Sequence, residues 1–184
     1  RTLDFVPFCA AHLLADKALE ARAMAAVEAF SAPWSVKMLE IDAVGMFDTA
    51  AEDMGKVFVT TELGGGGTAR AQTVRIARRG VLNVLRHAGI VSGAVEKAPT
   101  RWLDMPDADC FTFAEDGGLI EFLADLGDAV EQGQPVARIF PVTRTGLAPV
   151  AVHARRAGLM MARHFPGIVK PGDCVAVIGE EVQP

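Results

Sequence analysis

Cysteine is scarce in this sequence, and its placement excludes two common uses. Cys9, Cys110 and Cys174 are odd in number and have no short spacing between any two. They form neither a disulfide framework nor a Cys-x-x-Cys metal knuckle. They read as small, buried or half-buried apolar residues, and a reducing cytoplasm is the compartment that fits them. No apolar run approaches the ~20 residues that cross a bilayer. The opening residues, Arg1 to Phe8, lack an initiator Met and a signal-peptide pattern, so the chain reads as a fragment or a processed product. Basic side chains are outnumbered 18 to 23, leaving a net charge of −5. That excludes a nucleic-acid surface as the main business of the chain, although a local basic patch stays open.

Histidine is equally sparse. His12, His87, His153 and His164 are scattered, and none has Glu or His three or four residues on. No His-x-x-Glu, His-x-x-x-His or His-x-His ligand pair is therefore present. His12, in an alanine-rich segment, reads as a satisfied core or surface residue. His87 stands near a helix C-terminus, where a histidine complements the dipole. No Gly-x-Ser-x-Gly elbow and no Walker A Gly-Lys-Ser/Thr occurs.

What is there divides near Pro99. Before it, helical patterns alternate with short β-like runs. Asp16 is an expected N-cap for a helix over 17–30. Residues 35–41 read as a strand, 49–54 as a short helix, and 57–63 as the clearest strand, being rich in β-branched and aromatic residues. From Thr68 to Ala88, the apolar positions Val74, Ala77, Val81, Leu85 and Ala88 recur at helical spacing. Arg70, Arg75, Arg78, Arg79 and Arg86 are expected on its outer face, either simply solvated or as a substrate-attracting or subunit-contacting patch, with Gly89 as the stop. Glu40 and Asp42 end the 35–41 strand before the Gly45 turn, where they line the same edge as the 57–63 strand or cap turns.

After Pro99 the chain repeats itself. Residues 118–139 and 158–178 share an order of short apolar runs broken by glycine, each copy reading as strand, turn, strand. The pattern resembles the barrel-sandwich hairpins of biotinyl and lipoyl carrier domains. Neither copy carries their Met-Lys-Met modification hairpin, and the one repeat lysine, Lys170, sits in a Lys-Pro-Gly turn, so the carrier function does not follow. The repeat reads as a structural β domain. Arg144, in a turn, is a candidate clamp for a substrate carboxylate.

The sharpest local feature is Thr60-Thr-Glu-Leu-Gly-Gly-Gly-Gly-Thr68, a strand that ends on Glu62 and enters a glycine loop. Three readings compete. Gly64-x-Gly66-x-x-Ala69 satisfies a loose dinucleotide fingerprint, but no acidic residue ends a second strand at the required distance. A charged strand end beside a tight turn is the structural reading. The third makes Glu62 a general base, with Gly64 and Gly65 letting a substrate approach the backbone.

Leu39-Glu-Ile-Asp-Ala-Val-Gly45, the segment Met54 to Thr68, Leu103-Asp-Met-Pro-Asp-Ala-Asp-Cys110 and Arg163-His-Phe-Pro-Gly167 together resemble the succinylglutamate desuccinylase/aspartoacylase family. The likeness runs along essentially the whole chain and corresponds to the later half of such an enzyme. It implies an α/β fold, part of a carboxypeptidase-like domain over 1–98, followed by a β-rich, barrel-sandwich-like domain over 99–184. It implies hydrolysis of the amide bond of a small-molecule N-acyl amino acid, with zinc as the cofactor and Glu62 as the general base. Zinc would lower the pKa of a bound water from roughly 15.7 toward about 7. The family's zinc ligands, a His-x-x-Glu pair and a later His, and its substrate-binding arginine are expected upstream of Arg1, so this chain is expected to hold no zinc and to be inactive alone. Some relatives place a tyrosine of the β domain at the substrate; this sequence has none. An inert fragment or assembly module, or a homo-oligomer, and more distantly a dinucleotide-dependent oxidoreductase, are the alternatives.

Overall fold

The computed structural model describes residues 3–39 and 45–183. In chain order they form β1 (Leu3–Phe5), β2 (Phe8–His12), α1 (Lys17–Phe30), β3 (Trp34–Met38), α2 (Phe47–Asp53), β4 (Thr60–Glu62), α3 (Ala71–His87) and β5 (Arg101–Asp104). A single 3-10 turn, Ala108–Cys110, precedes the β-rich remainder. There follow β6 (Phe111–Phe113), β7 (Gly118–Phe122), β8 (Ala129–Val130), β9 (Pro135–Phe140), β10 (Val150–His153), β11 (Gly158–His164), β12 (Ile168–Val169) and β13 (Cys174–Val182). The fold class is mixed α/β with a separate small antiparallel sheet. Contacts divide the chain into two compact units, Arg1–Val6, Gly64–Thr68 and Asp107–Glu181 in one, Pro7–Leu63, Ala69–Pro106 and Val182–Pro184 in the other.

The α/β unit is built on the sheet order β5-β3-β2-β4. β2, β3 and β5 are parallel, while β4 runs antiparallel to β2. β2 is buried along its whole length, which suits Phe-Cys-Ala-Ala-His: small residues let α1 pack closely on a strand with no exposed position. α1 connects β2 to β3. The Asp16 carboxylate accepts from the N–H groups of Ala18 and Leu19 at 2.9 and 3.1 Å, and α1 buries Leu19, Ala23, Ala26, Val27 and Phe30. Glu20 reinforces that start, accepting from the Leu14 N–H at 2.6 Å and from Lys17 at 2.8 Å.

α3 corrects an expectation. Its buried residues are Thr73, Ile76, Gly80 and Asn83, whereas Val74 is 42% and Val81 55% exposed. The periodic apolar stripe therefore faces outward. The reason lies on α1: a side chain at Gly80 would fall inside the ring of Phe30, so the two helices meet where α3 has no Cβ. Asn83, wholly buried, donates to the Glu96 carbonyl at 3.0 Å and accepts from the Glu96 N–H at 2.8 Å. Nor are all the arginines solvated, since Arg79 donates to the Ser31 carbonyl at 2.8 Å and Arg86 pairs with Glu96. The expected 57–63 strand shortens to the three residues of β4.

The β unit realises the repeat as a near-twofold exchange of strands. β7 pairs with β9, and β11 with β13, inside each copy. Four further pairings cross between copies, β7 with β12 and β11 with β8, β6 with β13 and β10 with β9, while β1 adds to β11 from outside the repeat. Single hydrogen bonds repeat as well. The Ile120 N–H donates to the Gly167 carbonyl at 2.8 Å, and the Met160 N–H donates to the Asp128 carbonyl at 2.9 Å. Gly133 donates to Ala154 as Gly172 donates to Ala114, both at 2.8 Å. Gly118 and Gly158 hold equivalent places, where a Cβ would collide with the carbonyl oxygens of Phe140 and Gly179. Val130, Val136, Ile139, Val152, Met160, Val169, Val175 and Ile178 fill the shared core.

Candidate active site

Glu62 is half-buried at the last position of β4. Because β4 is antiparallel to β2, this strand end lies at the edge where β2 and β3 begin, not where they finish. The register runs Glu62, Phe8, Trp34, Arg101 across the four strands. With strands about 4.8 Å apart, the carboxylate-bearing and guanidinium-bearing backbones stand roughly 14 Å from one another. Arg101 lies over the Trp34 ring, 4.4 Å from its centroid, and is therefore held by a cation–π contact. The expectation that Glu62 ends a strand holds, but the rule placing ligands at the carboxyl ends of parallel strands does not describe its edge.

The glycine loop separates into individual roles. Gly64, Gly66 and Gly67 have φ of +97°, +63° and +69°, a region that glycine alone enters without cost. Gly65 is different. A Cβ there would strike the Leu3 carbonyl and lie 2.7 Å from Asp4 Cα, so its missing side chain is used by the close passage of β1. Asp42, with Glu40, lies outside the described residues. Arg144 is exposed in the loop between β9 and β10.

At the opposite edge of the α/β sheet, sequence reasoning missed a partnership. His12, on the final residue of β2, places Nδ1 3.1 and 3.2 Å from the two carboxylate oxygens of Glu52 on α2, with both side chains almost wholly buried. Forty residues separate the two, and no local spacing announces the pair. His164 is buried in the β unit, its ring nitrogens 3.2 Å from the carbonyls of Cys174 and Ile168. His87 and His153 are exposed.

Thiol chemistry is disfavoured by desolvation. Burial pushes the Cys9 thiol up to about 12 and the Cys174 thiol up to about 11, and raises Cys110 as well. Among the described residues, no three His, Cys, Asp or Glu side chains gather so as to hold a metal ion. The described residues thus do not by themselves fit the zinc that the family resemblance implies. A concavity of about 570 Å³, lined by Thr112, Glu115, Asp116, His153 and Arg155 among others, contains none of the expected site residues. Among the described residues, no helix is long and apolar enough to cross a membrane.

Comparison with known proteins bears on the segment that carries Glu62. Residues 1–88 match the succinylglutamate desuccinylase/aspartoacylase catalytic domain. The whole chain is 48% identical to 54% of the N-alpha-acetyl-L-2,4-diaminobutyric acid deacetylase of Halomonas elongata. The product-bound structure of the ectoine utilization protein EutE (DoeB) from Ruegeria pomeroyi is 57% identical with a TM-score of 0.95, over 97% of this chain and 55% of that one. A succinylglutamate desuccinylase/aspartoacylase structure from Rhodobacter sphaeroides is 36% identical with a TM-score of 0.91, over 100% of this chain and 56% of that one. The chain spans about half the length of the relatives it matches.

Proposed function

Because the chain belongs to the succinylglutamate desuccinylase/aspartoacylase family, we propose that it serves the hydrolysis of an N-acyl amino acid, with Glu62 as the general base. The observation that carries this reading is the position of Glu62 inside the matched catalytic segment, at the end of a strand that opens directly into the glycine loop. The carboxylate takes a proton from the attacking water as its oxygen adds to the acyl carbon. It then delivers that proton to the departing nitrogen as the C–N bond breaks, giving a free carboxylate and a free amine. N-alpha-acetyl-L-2,4-diaminobutyrate is the proposed substrate, on the strength of the Halomonas relative, and ectoine breakdown in a bacterial cytoplasm the proposed setting. Gly64, Gly65, Asp42 and Arg144 remain proposed substrate contacts. The packing of Gly65 against β1 makes it the weakest of them.

The test joins the first part of the Halomonas enzyme, the part this chain does not span, to this chain. Zinc content and acetate release are then measured with and without Glu62→Gln. The expected result is zinc in both proteins and a loss of turnover of about 10²- to 10⁴-fold in the variant. Unchanged turnover with zinc retained would remove Glu62 from its assigned role.

A further inference from the structure

α3 presents to solvent the face that a helix ordinarily hides. At about 100° per residue, Val74, Ala77, Arg78, Val81, Leu82 and Leu85 fall within an arc of roughly 140°. The middle of that arc is exposed, with Val81 at 55%, and Ala77, Arg78, Val81, Leu82 and Leu85 line a shallow concavity of about 420 Å³. The same α/β unit leaves a second surface unfinished, since β4 is the last strand of its sheet order and pairs with β2 alone among the described strands of that sheet. Ridge and open strand both belong to the segment matched as a catalytic domain.

We propose that the α3 ridge is the docking face for the polypeptide that the relatives carry and this chain does not span. The inference rests on the reading of the chain as the later part of a longer deacylase. Two observations choose this occupant over a second copy. Relatives with TM-scores of 0.91 and 0.95 keep this fold while carrying nearly as much chain again, which must find a surface to cover. A twofold pairing of the ridge would also cover Arg78 in both copies, and α3 carries no Asp or Glu to neutralise it. The occupant that fits is an apolar helix face bordered by acidic residues, laid against the ridge as helix into groove.

The experiment mixes this chain with the separately produced first part of the Halomonas deacetylase and measures binding by calorimetry. Saturable one-to-one binding is expected, weakened at least tenfold by Val81→Glu and by Leu85→Glu. The melting temperature of the chain should not move, and Leu147→Glu, at an exposed apolar site of the β unit, should leave binding intact. Should the first part not fold alone, maleimide labelling replaces binding. A cysteine at position 81 should react at least tenfold more slowly in the joined protein than in this chain, and one at position 147 at the same rate in both. Binding indifferent to both glutamates, equal labelling rates at position 81, or a dimer of this chain that Val81→Glu dissociates would each overturn the proposal. A ridge-dependent complex that holds zinc yet releases no acetate would keep the docking and remove the proposed function.

Discussion

The two units close their surfaces by opposite means. The β unit is largely finished by its own duplication: each copy supplies strands that the other lacks, and apolar residues of both copies meet in one shared core. The α/β unit buries a polar and glycine-bearing arc of α3 while the apolar arc stays outside. A buried asparagine beside an exposed valine shows that hydrophobic pattern ranks below steric fit when two helices must meet. Phe30 occupies the space a side chain at Gly80 would need, and Asn83 is held by Glu96 on the same buried arc.

The comparison breaks most visibly on α3. Asn83→Ala leaves the Glu96 N–H and carbonyl without partners, and should cost about 3 kcal/mol in urea unfolding. Val81→Ser should change stability by less than about 0.5 kcal/mol in the same titration, the reverse of what the helical pattern alone suggests. In the β unit, Gly118→Ala and Gly158→Ala test the equivalence of the two copies. Each forces a methyl into a partner strand's carbonyl and should cost about 2 kcal/mol, read as a fall of about 4–8 °C in melting temperature. Equal losses at the two sites would sharpen the twofold relation; a loss at one site only would break it.

The smallest effect concerns the start of α1. The Lys17 ammonium, and then the Leu14 N–H, hold the Glu20 carboxyl below its ordinary value of 4.5. A depressed folded-state pKa adds stability above the unfolded value, and that stability is lost as pH falls through the folded one. Glu20→Gln should therefore lower the melting temperature slightly at pH 7, and the difference should shrink as the pH falls below 4.5 and through the lowered folded value.

How much of this was legible in the residues depends on how far apart the deciding partners lie. α1 was, because Asp16 and the apolar spacing that follows it are local. The β repeat was, because tight turns demand positive φ and glycine marks them, as at Gly133 and Gly172 with φ of +80° and +90°. The period of α3 was readable, but a period does not say which face will be covered. Phe30 decides that from fifty residues away. Glu62 could be found at a strand end, while the antiparallel direction of β4 is fixed only by its register with β2. The pairing of His12 with Glu52 had no local trace at all.

Strand exchange in the β unit also has a consequence in time. When Phe140 leaves the peptidyl-transferase centre, β7 can already pair with β9, but β13, β12, β11 and β10, the second-copy partners of β6, β7, β8 and β9, are not yet synthesised. Some forty more residues must be added before β13 ends at Val182. At about 5–20 residues per second, that is a wait of roughly 2–8 s. During it β6, β7, β8 and β9 each lack a partner strand from the second copy. The last part of the message therefore decides when the middle part can fold.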